Sequence, residues 1–323
     1  MLGYLEHGIA IIAVGAKAYI PKGEYLYGED DRVVTSQELD EKLAFSLQPS
    51  AFSLQPSAFS SVVFIQCVGS RDKDRPYCSK VCCTHTVQTA LKLKGQNPKM
   101  DIYVLYRDIR TYGFNEDLYR QARSKGVVFI RYKEDDKPVV SKNGNGLEVM
   151  VTDHILDQKM ALKADLVCLA TAIIPNPVKD LSQHFKVPLN DDSFFLETHM
   201  KLRPVDFATD GVFVAGLAHY PKPVDETIAQ AKAAASRATT VLAQKVIRVG
   251  GAIASIDEAK CAGCGLCENV CAYKAIEMNE KGKAEIKEAL CKGCGTYVST
   301  CRMGAPKLYG FSDEQALAMV EAV

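Results

Sequence analysis

"SVVFIQCVGSRDKDRPYCSKVCCTHTVQTALKLKG", residues 61–95, is the stretch on which the fold turns. It opens on the unbroken apolar run Val62 to Ile65, the pattern of a strand buried on both faces. It closes on "CCTHTVQTALKLKG", which reads as a helix, and a cysteine-bearing loop joins the two. Downstream come the strand "DIYVLYRDI", the helix "NEDLYRQARSKG" and the strand "VVFIRY". Alternation of this kind with short connections predicts a parallel α/β sheet of Rossmann type. A hairpin follows, turning at the Asn-Gly signal in "KNGNG", with "LEVMVTD" and "ADLVCLATAIIPNP" beyond it. "GVFVAGLAH" is expected as the last core strand, leading into the Ala-rich helix "DETIAQAKAAASRATTVLAQKV".

Upstream, "HGIAIIAVGAKAYIP" reads as a buried strand ending in a small-residue turn. "TSQELDEKL" reads as a short helix with Thr35 or Ser36 as N-cap and Glu38 in its first turn. The heptapeptide "AFSLQPS" at 44–50 then recurs unchanged at 51–57. It is too short for a solenoid unit, and Pro49 and Pro56 forbid a continuous helix. The repeat reads as a linker or as a spurious duplication.

The chain has 323 residues, 47% of them hydrophobic and 24% charged, which is ordinary for two or three globular domains. Lys plus Arg equals Asp plus Glu at 39 each, so the basic footprint of a nucleic-acid binder is missing. No apolar run reaches the length of a bilayer-spanning helix, and Glu6 stands where a signal peptide would be basic. The default expectation is cytoplasmic.

Seven of the twelve cysteines fall between Cys261 and Cys301, which predicts metal binding in a reducing compartment rather than disulfides. Cys261, Cys264, Cys267 and Cys271 have the C-x2-C-x2-C-x3-C spacing by which three thiolates wrap one 4Fe-4S cubane and the fourth serves a second cluster. Zinc more often uses two separated C-x2-C pairs. Gly263 and Gly265 let the backbone come close to the inorganic sulfides. The second arm, "CKGCGTYVSTC", supplies Cys291, Cys294 and Cys301 but has Tyr297 at the third position. By the usual crossing of arms, one cluster takes Cys261, Cys264, Cys267 and Cys301, and the other keeps Cys271, Cys291 and Cys294. Three alternatives stand for that second site: a 3Fe-4S cluster, a cubane with an unusual fourth ligand, or a misread cysteine codon.

Cys67, Cys78, Cys82 and Cys83 form C-x10-C-x3-C-C in the loop where a nucleotide-binding Rossmann unit carries its glycine-rich phosphate cradle. On spacing alone they are either a cluster site in place of the pyrophosphate or four incidental cysteines. At "VVFIQCVGSRD" and "YCSKVCC" the chain closely resembles the iron–sulfur flavoprotein subunit of heterodisulfide reductase. "AVGAKAY", "ADLVCLATAIIPNP", "GVFVAGLAHYPKPVDETIAQAKAAASRA" and the ferredoxin arms extend the likeness over nearly all of residues 9–320. The resemblance implies thioredoxin-reductase-like Rossmann-type domains with an inserted cubane held by Cys67, Cys78, Cys82 and Cys83. A C-terminal α+β bacterial-ferredoxin-like domain completes the expected fold.

The resemblance also implies FAD, held between Gly15 and the segment containing Gly216, Lys222 and Thr227. Gly216 permits close backbone approach, and the helix N-terminus near Asp225 to Thr227 offers amides and a positive dipole to the ring. Lys222 then either lies near the flavin or is a solvated loop lysine. No G-x-G-x-x-G precedes "HGIAIIAVGA", so the FAD-binding domain is expected to be incomplete, with FAD shared with another chain or lost. The expected domains are 1–43 and 177–248 as two parts of the FAD-binding domain, and 44–60 as linker. A Rossmann-like domain is expected at 61–176, the ferredoxin-like domain at 249–311 and a tail at 312–323.

His85 is expected to pack or support rather than ligate, His219 to lie in the flavin loop, and Cys168 to be a buried structural thiol. Tyr106, Arg107 and Arg110 stand where a dinucleotide-dependent relative would read a cofactor phosphate, but without the glycine cradle no NAD site is expected there. The functional expectation is an electron-transferring subunit of a heterodisulfide-reductase-like complex. It would relay electrons between flavin, clusters, ferredoxin and partner subunits in a dimeric complex, and in the family that flavin splits electron pairs between two acceptors. The alternative is a flavin-free iron–sulfur scaffold wiring two partners together. A free-standing NAD-dependent disulfide reductase would need a separate C-x-x-C pair and a glycine cradle, which the sequence lacks.

Overall fold

The computed structural model describes residues 7–45, 59–144, 146–245, 253–271, 273–288 and 291–322. All of the heptapeptide repeat except residues 44–45 lies outside the described residues. The chain divides into two compact units, one of Val14–Asn176 with Gly216–Ile228, the other of Met1–Ala13, Pro177–Ala215 and Ala229–Val323.

The first unit is built on a five-stranded sheet in the order Val33–Thr35, Leu166–Thr171, Ser61–Val68, Asp101–Tyr106, Val127–Arg131. Every neighbouring pair is parallel, as strand–helix alternation requires. The central strand explains its own sequence. Val62 and Phe64 face one layer and Val63 and Ile65 the other, each no more than 1% exposed. Each such burial is worth about 1.5–3 kcal/mol.

On one face, residues of the helices Ser36–Phe45, Cys82–Gln96 and Glu116–Ser124 complete the core, among them Leu39, Leu43, Val87, Leu93 and Ala122. Thr35 and Glu38 form a reciprocal cap at the first of these helices. The Glu38 carboxylate accepts from the Thr35 N–H at 2.7 Å, and the Glu38 N–H donates to Thr35 Oγ1 at 3.3 Å. The other face carries an antiparallel meander of Val139–Asn143, Gly146–Asp153 and Gln158–Ala164, through Leu147, Val149, Val151 and Leu162. The Asn-Gly hairpin stands where expected; the third strand was not foreseen.

The expected buried strand within residues 7–21 does not form as one element. It gives two three-residue strands, Ala10–Ile12 pairing with Val212–Val214 in one unit and Ala16–Ala18 pairing with Ile173–Pro175 in the other. Gly15 at φ 72° breaks the run, and Ile11, Val14 and Ile20 are 41%, 42% and 58% exposed.

In the second unit, Val205, Phe213 and Ala215 pack against Ala234 and Ala238 of the Ala-rich helix. Small residues on that helix face let the backbone approach. The C-terminal module consists of two antiparallel strand pairs, Ala254–Ile256 with Pro306–Leu308 and Ile276–Met278 with Ala284–Ile286. Two five-residue helices, Leu266–Val270 and Thr296–Thr300, complete its α+β core, and Asp313–Glu321 forms a capped helix beyond it. No helix among the described residues is long and apolar enough to cross a membrane.

Candidate metal centres and flavin loop

The first cysteine group lies at the carboxyl end of the parallel sheet, where open α/β sheets place their ligands. Ile65 and Val68 are three residues apart, but their partners Leu169 and Thr171 only two, so the strand bulges just before it ends. The bulge contains Cys67, whose φ of 61° is left-handed. Arg71 and Lys80 adopt the same region, at 58° and 62°. Three non-glycine residues held this way in one loop cost about 1–3 kcal/mol each and must be fixed by their surroundings.

Several bonds supply that fixation. Tyr77 donates to the Ile173 carbonyl at 2.9 Å, Ser79 Oγ accepts from the Ile173 N–H at 2.9 Å, and Arg75 donates to the Gly69 carbonyl at 2.5 Å. At Gly69 the Tyr19 ring comes so close that a Cβ would run into it.

This scaffold gathers Cys67, Cys78, Cys82 and Cys83. Burial pushes the Cys83 thiol up to about 11, with neighbouring Cys67 and Cys78 adding to the rise. Burial also raises Cys82, reinforced by Cys83, Cys67 and Cys78. Arg71 Nη1 lies 3.9 Å from Cys67 Sγ, while its Nη2 pairs with Asp108 at 2.6 Å. Arg131 and Arg110 also reach Asp108, at 3.1 and 3.9 Å, and Arg107 donates to the Arg71 carbonyl at 2.5 Å. This arginine shell was missed by sequence reasoning, although the three-residue spacing of Arg107 and Arg110 after a strand was visible.

In the C-terminal module, Cys261, Cys264, Cys267 and Cys301 line one cavity of about 210 Å³. Amide donors already point at its sulfurs: the Ala284 N–H, 3.5 Å from Cys261 Sγ, and that of Gly263 hold this thiol below its ordinary value. Gly263 cannot be exchanged freely, since a Cβ there would meet the Gly282 carbonyl. Cys271 and Cys291 stand apart from that cavity's lining and take N–H bonds from Ala275 at 3.3 Å and Ala254 at 3.4 Å. Tyr297 lies among Cys291, Cys294 and Cys271; burial and these thiolates push its phenol up to about 12. Among the described residues no three Cys, His, Asp or Glu side chains converge on a single-ion site.

The expected flavin residues all fall in the first unit. Gly15 is left-handed with open space around it, and a Cβ on Gly216 would sit 3.6 Å from the Thr227 methyl. Lys222 is 9% exposed and donates to the carbonyls of Gly216 at 2.8 Å and Tyr220 at 2.9 Å, which removes the alternative of a solvated loop lysine. His219 Nδ1 is 3.4 Å from the same ammonium. Glu226, in the first turn of the following helix, pairs with Lys80 at 2.6 Å and accepts from the Tyr112 hydroxyl. The flavin-loop helix is thereby tied to the cysteine loop. His85 pairs with Asp40 at 2.6 Å, and Cys168 is fully buried as expected.

Residues 253–276 match the family model of a 4Fe-4S binding domain. An iron–sulfur subunit of CoB–CoM heterodisulfide reductase from Methanopyrus kandleri is 38% identical over 85% of this chain and 43% of its own length. Its counterpart from Methanocaldococcus jannaschii is 37% identical over 99% of this chain and 50% of its own. The chain is a relative of the heterodisulfide reductase iron–sulfur subunit. A further relative, from the H(2):CoB-CoM heterodisulfide,ferredoxin reductase of Methanothermobacter marburgensis, is 37% identical over 98% of this chain and 49% of its own. The chain thus spans about half the length of the curated relatives it matches.

Among solved structures, the flavoprotein disulfide reductase RclA from Escherichia coli matches 74% of this chain and 45% of its own at 12% identity, with a TM-score of 0.45. Thioredoxin reductase from T. acidophilum matches 72% and 64% at 13% identity, with a TM-score of 0.43.

Proposed function

We propose that the chain is an electron-transferring oxidoreductase subunit of a heterodisulfide-reductase-like complex. The observation that carries this reading is the convergence of Cys261, Cys264, Cys267 and Cys301, from both arms of the C-terminal module, on one cavity. Those four thiolates would hold one 4Fe-4S cluster, and Cys67, Cys78, Cys82 and Cys83 another. When bound, such clusters supply one-electron redox chemistry. The protein's own contribution is to fix the thiolates, aim amide donors at them and place Arg71 beside Cys67, where its charge favours a reduced cluster.

FAD, bound along Gly15, Gly216 and Thr227, would join the relay. Lys222 holds the Gly216 carbonyl in place and so shapes that loop from within. Ferredoxin and partner subunits are the proposed donors and acceptors, with electron-pair splitting at the flavin as in the family. The names of several relatives include ferredoxin, in keeping with this assignment.

The inward turn of Lys222 favours a second reading, a flavin-free iron–sulfur relay, because the ammonium directs its donors to its own loop. Gentle denaturation of the purified complex, followed by flavin fluorescence, separates the two. Release of flavin alongside iron supports the first reading, and iron without flavin leaves the relay.

A further inference from the structure

The two arms of the C-terminal module repeat in backbone as well as in sequence. Gly265 and Gly295, both left-handed at 71° and 75°, precede the five-residue helices Leu266–Val270 and Thr296–Thr300. Cys267 is the second residue of the first helix and Tyr297 the second residue of the other. The module therefore places a phenol where its repeat places a thiolate.

Tyr297 does not turn away from that position. It is 3% exposed and packs in the same buried cluster as Cys271 and Cys291. Its hydroxyl is buried and, among the described residues, pairs with no group. Leaving a buried hydroxyl unpaired costs about 1–3 kcal/mol, so the site suits an acceptor that the described residues do not provide. Cys271 and Cys291 are meanwhile arranged as ligands, each sulfur accepting a backbone N–H.

A phenol reaches several atoms farther than a thiol from the same Cα. Tyr297 holds the helix position of Cys267 in the other arm, so its oxygen would reach toward the corner of a cluster that a third thiolate of this arm would have ligated. A three-iron cluster is a cubane lacking that corner, and the sulfides around the gap are exposed acceptors. We propose that Cys271, Cys291 and Cys294 bind a 3Fe-4S cluster, and that Tyr297 fills its open corner and donates its O–H to the cluster's sulfides. Three ferric ions, four sulfides and three thiols give the oxidised cluster and three protons, without change of oxidation state. Tyr297 is a positioning residue and forms no bond to iron. The inference rests on the iron–sulfur reading of the module, and not on flavin or on any partner.

The test is electron paramagnetic resonance with iron analysis on the full chain, reconstituted anaerobically with ferric iron and sulfide. The oxidised protein is expected to show a three-iron signal of about one spin per chain. Tyr297→Cys should abolish that signal and raise the iron content by about one ion per chain, because the fourth ligand is restored. Tyr297→Phe should keep the signal and lower the midpoint potential of that cluster, since loss of a donor destabilises the reduced form. A merely structural tyrosine would leave the potential in place. The proposal is overturned if the oxidised protein lacks the signal, or if the signal persists in Tyr297→Cys and so arises from a damaged cubane elsewhere. An unshifted potential in Tyr297→Phe overturns the hydroxyl's role. Iron bound only as whole cubanes sinks this inference alone, whereas a chain that binds no iron sinks the iron–sulfur reading beneath it.

Discussion

Replacing Gly263 and Gly265 by alanine, one at a time, separates backbone strain from steric exclusion at the edge of the cluster cavity. Both glycines have a φ of 71°, so either alanine carries the left-handed penalty of about 1–2 kcal/mol. Their surroundings differ. At Gly263 the new Cβ runs into the Gly282 carbonyl, which belongs to a turn closed by the Gly282 N–H on the Asn279 carbonyl at 2.9 Å. At Gly265 the nearest group is the Glu268 carboxylate, 4.0 Å away and at the end of a flexible side chain. Overpacking against fixed structure costs about 1–3 kcal/mol, so Gly263→Ala should be destabilised by about that much more than Gly265→Ala. With a urea slope of about 2 kcal/mol/M, its midpoint should lie about 0.5–1.5 M lower. Urea-induced bleaching of the iron–sulfur absorbance of the reconstituted full chain reads this directly. Equal midpoints for the two variants would refute the reasoning.

Other perturbations test other parts. Arg71→Met removes a cation 3.9 Å from Cys67 Sγ and should lower the midpoint potential of the cluster held by the Cys67 group in a potentiometric titration. Pairing with Asp108 damps the shift without reversing it, so an unchanged or raised potential would count against the assignment. Hydrogen bonding to Arg32 holds the Asp30 carboxyl well below the usual carboxylate range. A depressed folded pKa gives stability that is present above the unfolded value and is lost as pH falls through the folded one. The advantage of the wild type over Asp30→Asn in urea midpoint, followed by circular dichroism, should therefore be constant above about pH 5 and shrink below about pH 4. Constancy down to about pH 3 would contradict it. Leu105→Ala, at a fully buried position of the parallel sheet, should cost about 2–5 kcal/mol by the same measurement. Leu156→Ala, at a residue 62% exposed in a meander turn, should stay within about 0.5 kcal/mol of the wild type.

What the sequence revealed and concealed follows from which interactions are local. The central strand was legible because a strand buried on both faces leaves a continuous apolar run, and the Thr35–Glu38 cap because it closes within one helical turn. Strand Gln158–Ala164 escaped notice because only Leu162 and Ala164 of its seven residues are buried, leaving little alternation to read. The stretch through residues 7–21 misled for the opposite reason. Its apolar residues are real, but Gly15 divides them between two sheets, and much of the run faces outward.

At the candidate sites, cysteine spacing foretold which thiols share the Cys261 cavity, because the crossing of arms is a consequence of the repeat. The bulge at Cys67 and the arginine shell on Asp108 depend on contacts between segments far apart in the chain, and no local pattern encodes them. Tyr297 was visible as a departure; that its hydroxyl is buried without a partner among the described residues was not.

The central claim is that two separate cysteine groups bind clusters through which the chain carries electrons. Iron and sulfide analysis of the reconstituted full chain beside Cys78→Ala and Cys264→Ala, with the reduced proteins followed by electron paramagnetic resonance, tests it most directly. Each substitution is predicted to remove one reduced 4Fe-4S signal and at least one iron, while leaving the other group's signal intact. Iron content and spectra unchanged by Cys78→Ala would contradict the account.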